Sequence, residues 1–468
     1  MCVTCEREEA FREMEKAAER IMSRCEFDMG ERMISDLYQN ASKITNDVVA
    51  RKASSKRVWQ QKADDIILSR TFGYPLMILL LGVVFWLTII GSNIPSAWLG
   101  DILFGILPAA SEMVRFWGVP IWLHDMLVYG MLQCLVWVVA VMLPPMVIFF
   151  TLFTLLEDWG YLPRIALSLD HLFYRCRACG KQALTMCMGF GCNAAGVVAC
   201  RIIDSPRERI LAMVTNAFVP CNGRFPTLLL LATLLIGGMH AADGDRLLVA
   251  GVITGIVLLG IGATLLMSRV LADTVLKGEP STMILELPPY RLPHFGAVIY
   301  RSLWERTRFV LLRAVCVAAP AGVVIWILAH IAVGEISLLV WLAQLLDPMA
   351  WWLGLDGAIV LAFLLGMPAN EIVLPILLMI YLSAGQMTEA ESVKELAHIF
   401  AAHGWNTLTL VNVSLFCLFH WPCATTLLSV YQESRSLKWA VLAFLLPTAL
   451  GIGICFLTAQ GARLFGLV

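Results

Sequence analysis

The sequence predicts an all-α polytopic membrane protein built from two inverted repeats. Of its 468 residues, 59% are hydrophobic and only 15% are charged, whereas soluble domains carry roughly 25% charged residues. Long apolar runs alternate with loops rich in arginine and lysine, as expected for a chain that crosses a membrane repeatedly. Two of these runs are interrupted by glycine and asparagine at the same spacing, which indicates broken helices in two related halves.

Composition also excludes several classes of protein. The formal net charge is −1, which gives no indication of nucleic-acid binding. The 14 cysteines are spread through apolar runs and loops, a distribution that fits reduced thiols and metal ligands better than a secreted disulfide framework. No phosphate loop and no nucleophile–base constellation is present, so we expect no enzymatic activity in this chain.

The N-terminal part is predicted to precede the membrane. Residues 1–70 are charged and rich in helix-forming residues, without a signal peptide, and should form a short cytoplasmic helical segment. Basic residues just before the first apolar run place this side in the cytoplasm. Residues 71–125 should contain the first transmembrane helix, Tyr74–Ile90, and an external amphipathic segment that includes Pro95, Pro108 and Pro120.

Residues 126–268 are predicted to form the first repeat. It begins with a long apolar run from Met126 to Leu156, which Pro144 and Pro145 should break or kink. The elements that follow are a broken segment from Gln182 to Cys200, a span interrupted at Pro220–Gly223, and a return span from Leu247 to Leu266. Arginines flank the broken segment on both sides. We therefore expect a re-entrant helical hairpin that enters from the cytoplasm, with Gly189–Asn193 at its tip.

Residues 269–309 are predicted to form a proline-rich cytoplasmic arm, and residues 310–468 the second repeat. The elements of this repeat are a span from Phe309 to Ala332, an interfacial segment from Glu335 to Gly357, a second broken segment from Ala358 to Leu382, a span from Trp405 to Tyr431 interrupted at Trp421–Cys423, and a last span from Trp439 to Thr458. Acidic residues follow the second broken segment, so this hairpin should enter from outside. The two halves would then have opposite orientations, with a shared site near the middle of the membrane.

The breaks themselves are the features most relevant to function. Glycine costs about 1 kcal/mol in a helix interior, and an asparagine in hydrocarbon needs polar partners. Irregular backbone at this depth is tolerated where protein or a water-filled cavity surrounds it. We therefore expect Cys192 and Asn193 to face a cavity, while the alternative is a glycine-rich surface for helix packing.

Several segments of the sequence resemble one known family. They are Leu155–Arg164 (LLEDWGYLPR), Gly189–Asn193 (GFGCN), Arg207–Ile210 (RERI), Leu276–Pro280 (LKGEP), Glu286–Tyr290 (ELPPY) and Pro422–Thr426 (PCATT). In this order they resemble the membrane region of ferrous iron transport protein B (FeoB), from about Asp64 to the C-terminus. The resemblance implies import of Fe²⁺ across a prokaryotic cytoplasmic membrane, with Cys192 and Cys423 on the ion path. It also implies a small FeoA-like protein, a G protein and a homo-oligomer as partners.

The sequence departs from the family pattern at three places. It contains no G-x-x-x-x-G-K-[ST] motif, so we expect that this chain does not hydrolyse GTP and that a separate polypeptide supplies any G protein. Alanine follows Asn193, where relatives commonly have proline. The second tip reads Ala369-Asn370-Glu371, where a Lys-Glu pair is common, and this difference is expected to affect gating or ion preference.

Six residues at the breaks are predicted to bind or guide the ion: Cys192, Asn193, Cys221, Asn370, Glu371 and Cys423. Ferrous iron accepts thiolate, imidazole and carboxylate ligands, and a dication in the membrane needs anionic groups in place of its water. Each cysteine has the alternative role of a small buried apolar residue. Glu371 has the alternative role of an ion-pair partner for Arg224, and His420 is equally compatible with a ligand, a proton carrier or a core residue.

Two Cys-x-x-Cys pairs, Cys2/Cys5 and Cys176/Cys179, suggest a further site. If the pairs met, four thiols would suit Zn²⁺ or an iron–sulfur cluster, whereas separate pairs would be free thiols or redox pairs. Three functions therefore remain open at this point: a permease for Fe²⁺ or another divalent ion such as Mn²⁺, a transporter of nucleosides with similar hairpins, and a metal-sensing membrane protein.

Overall fold

The structure is a computed structural model that describes residues 29–48, 55–69, 71–237, 246–278, 290, 294–387 and 392–466. It is largely helical. Among these residues, seven helices are long and apolar enough to cross a membrane, or eight if a helix pair bent by 111° counts as one span. The prediction of a helical polytopic membrane protein is therefore confirmed, whereas the inverted orientation of the two halves and the re-entrant hairpins stay predictions.

The chain divides into two compact units. The smaller unit contains the residues up to Asp65, which include helix α1 (Met29–Val48) and all but the last two residues of helix α2 (Ser55–Ile67). Helix α1 exposes Met33, Leu37, Ile44 and Val48, a spacing that places them on one helical face. The larger unit contains every candidate site residue at the four breaks.

The first half of the larger unit consists of helices and short 3₁₀ turns. The helices are α3 (Gly73–Phe116), α4 (Ile121–Asp158, with a π-helical stretch Met126–Leu132), α5 (Tyr161–Arg175), α6 (Lys181–Gly191), α7 (Asn193–Ala199), α8 (Pro206–Thr215), α9 (Phe225–Gly237) and α10 (Arg246–Thr274). The 3₁₀ turns are Cys200–Ile202, Asn216–Phe218 and Asn222–Arg224.

The second half adds a small two-stranded sheet to its helices. The elements are α11 (Phe295–Tyr300), a π-helical stretch Arg301–Thr307, α12 (Arg308–His330), β1 (Ala332–Val333), β2 (Ile336–Ser337), α13 (Leu338–Trp352), α14 (Gly357–Leu365), a 3₁₀ turn Asn370–Ile372, α15 (Val373–Tyr381), α16 (Val393–Ala402), α17 (Thr407–Phe419), α18 (Ala424–Ser434) and α19 (Leu437–Leu464). The strands are antiparallel, with Ala332 opposite Ser337.

The structure differs from the sequence predictions at two runs that contain prolines and at the proline-rich arm. Helix α3 does not end at Ile90 but continues through Pro95 and Pro108. Helix α4 continues through Pro144 and Pro145 without a break, while the kink that was the alternative there stays a prediction. A proline removes one hydrogen bond but leaves the rest of the i→i−4 ladder intact, so a helix supported by packing can pass through it. The proline-rich arm is also shorter than predicted, because its first residues belong to α10 and residues 295–309 are helical; residues 279–289 and 291–293 lie outside the described residues.

Tyr290 connects two of the segments that carry the family resemblance. Its ring lies 3.7 Å from the Arg164 guanidinium carbon and 6.4 Å from the Trp159 ring. Arg164 is buried and donates a hydrogen bond of 2.5 Å to the carbonyl oxygen of Gly160. A guanidinium stacked on an aromatic face is stabilised by cation–π attraction, so Tyr290 is held against α5 by this contact.

Helices α4 and α12 approach each other closely where Gly130 faces Gly322. A Cβ atom on Gly322 would lie 2.7 Å from Cys134 Cβ and would overlap the Gly130 carbonyl, and one on Gly130 would lie 2.7 Å from Trp326 Cβ. Small residues permit such close backbone approach in membrane helices. The pair therefore determines the distance between a helix of the first half and a helix of the second.

We predict that Gly322→Ala separates α4 from α12 and lowers the stability of the protein by about 1–3 kcal/mol, because overpacking forces backbone shifts. Thermal unfolding of the purified protein in detergent measures the change. Gly453→Ala in α19 is the matched control, since a Cβ there meets no atom within 4 Å. Equal melting temperatures for the two variants would contradict the prediction.

Candidate functional site

The first breaks of the two halves have nearly the same backbone. Cys192, between α6 and α7, is extended with φ −156° and ψ 121°. Ala369, between α14 and the 3₁₀ turn before α15, is extended with φ −151° and ψ 127°. Each is followed at once by an asparagine, Asn193 or Asn370. A single extended residue thus turns the chain in both halves and presents an amide side chain beside it.

The second breaks place a cysteine just before the helix resumes. Cys221 is extended with φ −87° and ψ 167° and precedes the turn Asn222–Arg224 that leads into α9. Cys423 has φ −59° and ψ 155° and precedes α18. Each thiol therefore stands at the N-terminus of a helical segment, where backbone N–H groups favour negative charge.

All six candidate residues meet at one cavity of about 30 Å³. Its wall contains Cys192, Asn193, Cys221, Asn370, Glu371 and Cys423, together with Met142, Met146, Gly191, Asn222, Gly223, Ala314, Pro368, Ala369 and Thr425. One water needs about 10–15 Å³ on this measure. The cavity therefore has room for an ion with at most a water or two, and not for an organic solute.

Hydrogen bonds hold several of these side chains in place. The Asn370 amide nitrogen donates to Cys221 Sγ at 3.7 Å, and its oxygen lies 3.3 Å from His420 Nε2. His420 Nδ1 lies 2.8 Å from the carbonyl oxygen of Cys417. The backbone therefore holds His420 through Nδ1, and its Nε2 lies beside the Asn370 amide, while the ring does not itself line the cavity.

Glu371 and Arg224 do not form the ion pair that was the alternative role for Glu371. Arg224 is buried and donates to the carbonyl oxygens of Leu418 at 2.7 Å, Ala217 at 3.4 Å, and His420 and Trp421 at 3.2 Å each. Within the described part of the chain, no hydrogen bond or ion pair joins the Glu371 side chain to another residue. The carboxylate is therefore available at the cavity wall.

Asn216 supports the first break, although the sequence reasoning did not identify it. Its amide nitrogen donates to the Asn193 carbonyl oxygen at 3.0 Å. The side chain fits between Gly189 and Gly196, where added Cβ atoms would come within 2.5 and 2.7 Å of it. In the orientation that satisfies its hydrogen bonding, the Asn193 amide nitrogen donates to the carbonyl oxygens of Gly189 and Val219, at 3.1 and 3.2 Å.

The methionines near the site divide into two groups. Met186, Met188 and Met367, near the first breaks of the two halves, pack within hydrophobic clusters and are absent from the cavity wall. Met142 and Met146, from the middle of α4, do line it. Their place follows from the packing of α4 against both halves, and no local sequence signal marks them.

The thiol, carboxylate and amide groups line the cavity, but they are not arranged around one position that a metal ion could occupy. In the ranges that the structure describes, no three His, Cys, Asp or Glu side chains are arranged to hold a metal ion together. Cys176 and Cys179 are free thiols, and burial raises the pKa of Cys179 to about 12 and raises that of Cys176. Cys2 and Cys5 lie outside the described residues, so the four-cysteine site stays a prediction.

Comparisons with known proteins agree on the membrane region. The Gate family model, described as "Nucleoside recognition", matches residues 139–235 and 311–436. The model described as "Ferrous iron transport protein B C terminus" matches residues 253–306. No solved structure matches the chain significantly.

Curated relatives match most of the chain. The Fe(2+) transporter FeoB of Staphylococcus aureus (strain MSSA476) is 26% identical over 434 residues, covering 90% of this chain and 62% of the relative. The Fe(2+) transporter FeoB of Methanocaldococcus jannaschii is 28% identical over 429 residues, covering 88% and 60%. A Fe(2+) transport protein A/Fe(2+) transporter FeoB fusion protein of Porphyromonas gingivalis is 26% identical, covering 86% and 52%. The chain thus spans about three fifths of the length of the first two relatives.

We predict that Gly223→Ala displaces Glu371 from the cavity wall, because a Cβ at Gly223 would overlap the Glu371 carboxylate. The expected cost is about 1–3 kcal/mol in stability, as for other overpacked sites, together with weaker binding of divalent ions. Thermal unfolding and Co²⁺ titration measure the two effects. Gly255→Ala in α10, where a Cβ meets no atom within 4 Å, should leave both unchanged, and a Gly223→Ala protein indistinguishable from that control would refute the prediction.

Proposed function

Since the chain belongs to the ferrous iron transport protein B family and carries its membrane region, we propose that it is a permease that imports Fe²⁺ across a prokaryotic cytoplasmic membrane. The observation that carries the proposal is the convergence of three thiols, one carboxylate and two amides on a single cavity. These groups come from all four helix breaks, and they are the donor types that suit a borderline dication.

The size of the cavity determines what the site must do. At about 30 Å³ it cannot hold an ion with its full hydration shell, since each water needs about 10–15 Å³. Fe²⁺ would therefore exchange most of its water for protein ligands. Cys192, Cys221, Cys423 and Glu371 would supply the anionic ligands, and the amide oxygens of Asn193 and Asn370 the neutral ones.

Binding of Fe²⁺ would bring the ligands together and would replace hydrogen bonds that they make in this structure. Cys221 accepts from Asn370, and Cys423 Sγ lies 3.2 Å from Thr426 Oγ1. Thiols bind metal as thiolates, so binding would release protons. A site that assembles only around the ion also favours transport, because conduction requires binding that is weak enough for the ion to leave.

The other functions left open by the sequence are less well supported by the site. A nucleoside needs a pocket of about 300–1,000 Å³, about ten times the volume of this cavity or more, and it has no use for three thiols. Mn²⁺ remains a competing ion, although thiolates favour Fe²⁺ over Mn²⁺. A metal sensor would bind the ion without moving it, which a transport assay decides.

The proposed partners follow from the relatives. One of them is a Fe(2+) transport protein A/Fe(2+) transporter FeoB fusion protein, so we propose a small FeoA-like protein as a partner of this chain. A G protein on a separate polypeptide and a homo-oligomer are further proposals.

We predict that Cys192→Ser and Glu371→Gln each abolish Fe²⁺ uptake while the protein still inserts and folds, because each removes an anionic ligand from the cavity. Uptake of radioactive iron into proteoliposomes containing the purified chain, with and without a cognate G protein, measures the effect. Matched controls are Cys316→Ser and Glu112→Gln, since both side chains are exposed and lie away from the cavity. Normal uptake by both site variants would remove the site from the proposal.

Protection from a thiol reagent distinguishes the substrate classes. Fe²⁺ should slow the modification of Cys192, Cys221 and Cys423, whereas nucleosides should not. Protection by nucleosides, with none by metal, would favour the nucleoside transporter instead.

A further inference from the structure

Glu371 lies between two cavities. Besides the cavity of about 30 Å³ that contains the thiols, a second cavity of about 270 Å³ has Glu371, Asn222 and Gly223 in its wall. The three residues shared by both walls come from a first-half and a second-half break. A side chain on Gly223 would overlap the Glu371 carboxylate, so the glycine allows the carboxylate to occupy the boundary between the cavities.

The wall of the larger cavity also carries polar side chains from α3. Ser92, Asn93 and Ser96 line it and lie close to Pro95, near the middle of this largely apolar helix. Asn93 is exposed and Ser96 is half-buried. An asparagine that faces acyl chains lacks hydrogen-bond partners and is costly, whereas the same residue beside a water-filled cavity is not.

The two cavities differ in the state of the ion that they can hold. On the measure in which one water needs about 10–15 Å³, a cavity of about 270 Å³ accommodates a dication with its complete first shell of waters. The smaller cavity accommodates the ion only after most of that water has been removed. Glu371 is the one carboxylate in either wall.

We propose that the larger cavity is the access chamber in which a hydrated divalent cation is held by Ser92, Asn93 and Ser96 before Glu371 transfers it to the thiols. The inference rests on the proposed function. The serine hydroxyls and the Asn93 amide bind the waters of the ion, and the carboxylate supplies the first direct contact between ion and protein. Helix α3 lies outside the regions that the Gate family model matches, so this assigns a function to a helix that the family comparison leaves without one.

Filling the chamber tests the proposal. Ser96→Trp places an indole inside it, and Ile94→Trp adds the same ring two residues away, at a position that is 81% exposed and absent from the chamber wall. We expect Ser96→Trp to lower the initial rate of Fe²⁺ uptake into proteoliposomes by at least about tenfold, because the indole occupies the space through which the ion reaches Glu371. Ile94→Trp should leave the rate unchanged.

A second pair of variants covers the case in which Ser96→Trp does not fold. Asn93→Asp adds a negative charge to the chamber and should lower the KM for Fe²⁺ several-fold, whereas Asn93→Leu should raise it by about the same factor with little change in the maximal rate, because only binding of the hydrated ion is altered. The KM values of the two variants are compared with that of the wild type at equal ionic strength.

The outcomes separate this inference from the function on which it rests. Suppose that the wild type takes up Fe²⁺. If a folded Ser96→Trp protein then has a normal uptake rate, or if both Asn93 variants have the KM of the wild type, the chamber is overturned but the permease is not. Absence of uptake by the wild type, with and without the G protein, overturns the permease and the chamber together. A tenfold loss in Ser96→Trp, with opposite shifts of KM in the Asn93 variants, supports the chamber.

Discussion

The whole site depends on how the broken helices satisfy their backbone inside a membrane. A break leaves carbonyl oxygens without helical partners, and hydrocarbon provides no water to replace them. Arg224 provides much of the solution, because its guanidinium donates to Ala217 in its own half and to Leu418, His420 and Trp421 in the other half. One buried side chain therefore fixes the second break of each half against the other, and with them the positions of the two thiols that follow.

Glycine contributes to the same solution by allowing close approach. Gly189 and Gly196 admit the Asn216 amide, which binds the backbone of Asn193, and Gly223 admits the Glu371 carboxylate. The connection between the halves continues away from the cavity, where Arg201, which follows α7, donates two hydrogen bonds of 2.7 and 2.6 Å to Glu433 at the end of α18. Movement of one half would therefore change the ligands that the other half supplies.

The breaks were predictable from sequence because their cause is local. Glycine, asparagine or proline within an apolar run is unfavourable for a continuous helix, whatever the rest of the chain does, and Cys192, Ala369, Cys221 and Cys423 do have non-helical backbone in the structure. The full length of α3 and the contributions of Asn216, Met146 and Asn93 were not predictable, since these depend on packing between segments far apart in sequence. The prolines of α3 were misleading for the same reason, because packing maintains a helix that local propensity would end.

The charge of Arg224 restricts how a dication can bind in the neighbouring cavity. The Arg224 guanidinium donates to the carbonyl oxygens of His420 and Trp421 at 3.2 Å each, so a permanent positive charge lies close to the break that carries Cys423, where the low dielectric makes charge interactions strong. Glu371 alone would leave this guanidinium and Fe²⁺ with an excess of positive charge. Two thiolates among Cys192, Cys221 and Cys423 would cancel it, and each forms by loss of a proton. On these grounds, the binding of iron in the proposed site would be coupled to the release of protons from its thiols.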